Sequence, residues 1–106
     1  MTNVTVTGGT LETGGSVTQN GRTYATRLNP KADFYLSGGT LTIPDATVQR
    51  CKFLYLKEGG EWRKVRLGRY CGTAGVTGTT HLPLLGTTSG ILEVHGDGTG
   101  TVLIMK

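Results

Sequence analysis

The sequence predicts an all-β domain, a small antiparallel β-sandwich or barrel of β-tulip or jelly-roll type. Composition points there first: eighteen glycines and nineteen threonines fill more than a third of the 106 residues. Threonine is β-branched and suits half-exposed pleated strands, while glycine at this density marks turns and close backbone approaches. Both disfavour helix. Periodicity points the same way, because the clearest apolar patterns alternate with a period of two. No stretch carries an apolar stripe at i, i+3, i+4 and i+7, so any helix is a single turn.

Residues 1–20 contain no aromatic side chain and few apolar ones, yet Val4, Val6, Leu11 and Val17 recur between Gly-Gly pairs. They are expected to form an extended N-terminal arm, ordering on a partner or lending edge strands to a neighbouring subunit. Residues 21–106 are the β domain. A Gly-Gly-Thr-Leu quartet at 8–11 returns at 38–41. Two copies fall short of the three or more repeats a solenoid needs, so each is taken as a turn followed by a strand. Short strands are expected over 23–27, 32–36 and 39–43, punctuated by Pro30 and Pro44. From Val48 to Lys57 one long strand is expected, with Cys51, Phe53 and Tyr55 on one face and Arg50, Lys52, Leu54 and Leu56 on the other. Glu58-Gly59-Gly60-Glu61 turns it into a second strand from Trp62 to Leu67. A further hairpin is expected between 91–95 and 101–105. Residues 71–90 are a long Thr/Gly-rich excursion whose apolar island is His81 to Leu85, and such loops are often interaction surfaces. All seven aromatics lie between Tyr24 and Tyr70, which places the main core in mid-chain.

The net charge is +4, and its excess is local. Arg50, Lys52, Lys57, Arg63, Lys64, Arg66 and Arg69 form a basic band suited to nucleic acid, an acidic protein surface or anionic lipid, or simply to a solvated hairpin side. Single-strand platforms interleave aromatics with bases, but the expected alternation puts Phe53 and Tyr55 in the core, away from Arg50 and Lys52, so nucleic acid is disfavoured. Scattered acids, no serine elbow and no signature around Cys71 and His81 argue against an enzyme. Cys51, Cys71, His81 and His95 lack the paired spacings of zinc modules, so neither metal nor cofactor is expected. Gly96 to Gly100 precedes a strand rather than a helix and is a turn, not a phosphate cradle. The start, MTNVTVTGG, has no signal-peptide character, and no apolar run approaches the ~20 residues of a membrane span. Synthesis in a reducing cytoplasm with free thiols is therefore expected, although pairing of Cys51 with Cys71 stays open. So small a core favours oligomerisation.

One ordered set of short motifs carries a resemblance. Gly21-Arg22-Thr23-Tyr24 is followed by Thr40-Leu41-Thr42-Ile43-Pro44, a small-residue step at Asp45-Ala46-Thr47, and the strand Cys51-Lys52-Phe53-Leu54-Tyr55. Ile91 to Val94, Asp97-Gly98-Thr99 and Val102 to Ile104 close the series. This order resembles small β domains of bacteriophage virion proteins, namely capsid decoration (cement) proteins and head-fibre and tail-fibre tips. The basic stretch Glu61 to Arg66 departs from the neutral Thr/Gly hairpin of that pattern. The resemblance implies a homotrimer on the virion, binding the major capsid protein at capsomer junctions and stabilising the shell. Partner contacts would then fall on Val4, Val6 and Leu11 of the arm and on Arg50, Lys52, Arg63, Lys64, Arg66 and Arg69 of the basic band. A fibre tip or receptor-binding module using residues 71–90 is the alternative, and a single-stranded nucleic-acid-binding domain the second.

Overall fold

The structure is a computed structural model, and it describes residues 3–96. It is all-β among those residues, apart from one 3-10 turn at Pro83–Leu85. The strands are β1 (Asn3–Val6), β2 (Thr10–Glu12), β3 (Val17–Gln19), β4 (Arg22–Tyr24), β5 (Asp33–Leu36), β6 (Thr40–Thr42), β7 (Thr47–Cys51), β8 (Phe53–Glu58), β9 (Glu61–Lys64), β10 (Gly68–Cys71), β11 (Thr80–His81) and β12 (Ile91–Val94). They form three sheets, ordered β1-β5-β8-β9, β2-β6 and β11-β10-β12-β7-β4-β3.

The chain visits these sheets cyclically. β1, β2 and β4 make a first coil, and β5, β6 and β7 a second lying parallel on it. A third coil begins with β8 on β5 and ends with β12 on β7; on the β6 side its place is taken by the 3-10 turn. Six of the nine strand pairings are therefore parallel. This corrects the expected antiparallel pairing and the closed barrel, since the sheets are mixed and not closed, while the all-β class stands. Parallel neighbours need a long connection between them, and each coil supplies one, so stacking successive coils pairs their backbones.

The two Gly-Gly-Thr-Leu quartets are the clearest case. Asn3 lies opposite Asp33 and Thr10 opposite Thr40, an offset of thirty residues in both sheets. Each quartet is a turn followed by a strand, as expected, but the second is stacked under the first. Within residues 3–19, β1, β2 and β3 pair with β5, β6 and β4 of the same chain.

The expected long strand from Val48 to Lys57 is broken at Lys52. There the chain turns from one sheet to the next; the Lys52 amide donates to Ala32 O (2.8 Å) and its carbonyl accepts from Gly96 N (2.7 Å). The corner reverses the parity of everything after it. Cys51 stays inside, but Leu54 and not Phe53 or Tyr55 turns inward next. The expected hairpin follows, but its second strand runs Glu61–Lys64 and stops short of Leu67. Gly59 and Gly60 both take positive φ, +58° and +87°, which a two-residue turn with right-handed strand twist requires.

The core is mainly aliphatic. Inward ladders run Val4–Phe34–Leu54 and Val6–Leu36–Leu56 across the first sheet and Leu11–Leu41 across the second. Leu92 and Val94 meet Gln49 and Cys51 from the third sheet. Of the seven aromatics only Phe34 is fully buried, so mid-chain aromatics do not mark the core here. The 71–90 excursion is anchored, because Leu82 and Leu85 join the core cluster and β11 pairs with β10. β12 is flanked on both sides, by β7 and β10, and the 101–105 half of the expected final hairpin lies outside the described residues.

Cys51 and Cys71 are free and buried. Burial, reinforced by the Asp33 carboxylate, pushes the Cys51 thiol from 9.0 up to about 12. The folded chain thus favours the protonated thiol. That stabilisation is complete below pH 9 and is lost as pH rises from there towards about 12, at about 1.4 kcal/mol per pH unit. Tyr70, raised by burial against the opposing effect of Arg66, acts in the same direction. The melting temperature should therefore fall between pH 9 and 11 in a titration followed by circular dichroism. Cys51→Ala should flatten that fall, and an unchanged slope would remove the thiol from the account.

Candidate functional site

The parity change at Lys52 carries the aromatic side chains to the outer face of the first sheet. Tyr35 lies opposite Tyr55, and their rings stack with centroids 4.6 Å apart and planes 7° from parallel. Trp62 meets Tyr35 edge-on at 5.2 Å. Phe53 lies opposite Asp33 on the same face.

Lysines accompany the rings. Lys64 lies opposite Tyr55 with its ammonium 4.2 Å from the Phe53 centroid, and Lys57 lies opposite Trp62 at 5.5 Å. Lys52, at the corner, is 5.9 Å from Phe53. Such contacts hold the ammonium groups over the rings while leaving their charge available at the surface. Asp33 Oδ1 is buried beside this cluster with no hydrogen-bond partner among the described residues. Burial and the neighbouring Tyr55 and Asp33 raise the Tyr35 phenol above its ordinary value, so it stays a neutral donor at physiological pH.

The structure divides the expected basic band between two surfaces. Lys52 and Lys64 belong to the aromatic face. Arg63 sits at the hairpin tip, 3.3 Å from Glu58. Arg50 and Arg69 lie on the outside of the third sheet, bracketing Glu93 at 3.5 and 3.6 Å, and Arg50 also covers the Tyr24 ring at 4.1 Å. Arg66 accepts the Tyr70 hydroxyl on its backbone carbonyl at 2.7 Å, leaving its side chain exposed. These guanidinium groups therefore do not act as one patch with the lysines. Of the three arm residues expected to contact a partner, Val6 is buried, and Val4 and Leu11 are partly buried and pack against the core.

A groove of about 400 Å³ also opens on the third sheet, lined in part by Arg22, Arg69, Thr47 and Ser89. Arg69 is already engaged by Glu93 there. His81 and His95 contact separate carbonyls, Gly72 O at 3.1 Å and Pro30 O at 2.8 Å. No group of three or more side chains able to hold a metal is present among the described residues, nor is any helix there long and apolar enough to cross a membrane.

No family model, curated protein or solved structure matches the chain. Sequence reasoning missed the aromatic face because it carried one alternation through Lys52. The signal available was the mixed character of that alternation, in which Leu54 and Leu56 shared the face assigned to charges.

Proposed function

We propose that this chain is a structural component of a bacteriophage virion, a capsid decoration protein that binds the outside of the shell at capsomer junctions and stabilises it as a homotrimer. The virion assignment rests on the ordered motifs described above. The observation that carries the docking mode is the outer face of the first sheet, where Tyr35, Tyr55, Phe53 and Trp62 sit among Lys52, Lys57 and Lys64. Aromatic side chains supply much of the energy of protein interfaces because they bury large area for little conformational entropy. The lysines select an acidic shell surface and speed encounter with it. Binding at repeated junctions then stabilises the shell by mass action.

The test is co-sedimentation of the chain with shells assembled from a major capsid protein of the same genome. Trp62→Ala together with Lys64→Glu should weaken shell binding roughly a hundredfold, about 2.7 kcal/mol. The monomer fold should stay intact, since both residues are exposed. Sedimentation of the free chain at about three times its 11.2 kDa mass would support the trimer. Unaltered shell binding by the double variant would sink the docking face.

A second reading gains from the same face. The argument against single-stranded nucleic acid was that the aromatics were core, and Phe53 and Tyr55 are instead outside with Lys57 and Lys64. Fluorescence titration with oligothymidylate decides it. A nucleic-acid binder loses affinity steeply with salt, with a slope near −0.7 per phosphate contact; a decoration protein shows no saturable binding.

A further inference from the structure

The two ends of the coil stack are finished differently. At one end β9 folds back on β8, and β10 folds back on β12, so the edges of the third coil are covered. At the other end β3 folds back on β4, but β1 and β2 each pair on one side only. Among the described residues the first coil thus ends in two consecutive unpaired strand edges joined by the Gly8-Gly9 corner. Unpaired edges of this kind are templates for another strand.

The glycines at that corner identify what fits. In the second coil, Gly38 and Gly39 are glycine because the first coil presses on them. A Cβ on Gly38 would meet Thr7 O at 2.8 Å, and one on Gly39 would meet Gly9 O at 2.7 Å and Gly8 O at 2.8 Å. The equivalent pair in the first coil meets nothing within 4 Å among the described residues. Gly9 has φ +69°, which accounts for its lack of a side chain. Gly8 has no such conformation and no neighbour, so nothing within the described residues requires a glycine there. By the thirty-residue register, Gly8 is where the backbone of a further coil would press, as Thr7 presses on Gly38. Below it, Val4 and Leu11 are only half-buried, while both pack against the core.

We infer that the β1–β2 edge is a β-augmentation site for an extended segment of another polypeptide, about ten residues long, lying parallel to residues 3–12. That segment carries apolar side chains at the positions matching Val4, Val6 and Leu11, and small residues at the corner above Gly8. Main-chain hydrogen bonds along both strands supply affinity, and the alternate apolar positions supply selectivity. A whole three-strand coil is excluded because β3 already covers the β4 edge. The same strand obstructs a second copy placed end to end. This inference deepens the assembly reading by naming the chemistry of a partner segment. Its test reads the edge alone, so a chain that binds no shell can still bind the segment.

The probe is a fluorescent peptide with the sequence of residues 3–12, which already stacks on a like sequence within the chain. With the full-length chain, saturable binding by anisotropy is expected, with hydrogen-exchange protection gained over residues 3–12. Gly8→Ala should keep the melting temperature, because its Cβ meets nothing, yet lower peptide affinity roughly tenfold or more. A peptide with valines at the Gly-Gly corner should bind no better than a scrambled one. No saturation at millimolar peptide, or equal binding by Gly8→Ala, would overturn the inference. So would a dimer of the chain alone that Gly8→Ala dissociates, since the occupant would then be a second copy.

Discussion

Phe34→Ala is expected to destabilise the domain by about 3–5 kcal/mol, the range for removing a large aromatic side chain from a well-packed core. Phe34 is the one fully buried aromatic, and it sits at the centre of the Val4–Phe34–Leu54 ladder, joining all three coils. Truncation would leave a void bounded on both sides by strands whose positions are fixed by parallel pairing, so collapse around it is restricted. Domains of this size hold about 5–15 kcal/mol in total. Urea denaturation followed by far-ultraviolet circular dichroism should therefore show a large fall in midpoint, or an unfolded chain at room temperature. Phe34→Leu, which keeps most of the volume, should recover the greater part of the loss. A loss below about 1 kcal/mol for the alanine variant would show that the stacked-coil core is wrong.

Gly90→Ala is the second large effect, and its cause is space. Gly90 is buried where the chain enters β12, and a Cβ there would collide with the backbone carbonyls of Ile43 and Pro44. The same few residues clamp β12 onto the second coil. The Thr88 hydroxyl donates to Ile43 O, while Asp45 Oδ1 accepts from the Ser89 amide at 2.7 Å. Backbone cannot yield as a flexible side chain can, so the insertion should cost about 1–3 kcal/mol, at the upper end of overpacking. It should also loosen the β12–β7 register, read as faster amide exchange at Leu92 and Val94. Gly8→Ala is the matched control, with no neighbour to displace and no change in stability expected. Equal melting temperatures for the two variants would refute the close approach.

The sequence by itself determined the strand content. Threonine and glycine density, the absence of helical periodicity and the Gly59-Gly60 turn are local properties, and each appears in the structure near its expected place. β5 and β6 fall within their expected ranges, β4 begins one residue ahead of its own, and the β8–β9 hairpin forms about the expected turn with a shorter second strand. These features depend on backbone preference and on the period-two pattern, which neighbours in the chain suffice to express.

What only the tertiary structure decided was which strands meet and which side faces out. Parallel stacking pairs residues thirty apart, and no local pattern distinguishes such a partner from a hairpin partner. The second Gly-Gly-Thr-Leu quartet was visible, but its stacking depends on a backbone contact at Gly38 and Gly39 made by a distant coil. The aromatic face turned on one corner. At Lys52 the chain changes sheets, held by hydrogen bonds to Ala32 and Gly96, and a shift of one residue moves every later side chain to the opposite face. Local sequence fixes that side chains alternate; long-range pairing fixes where the alternation is reset.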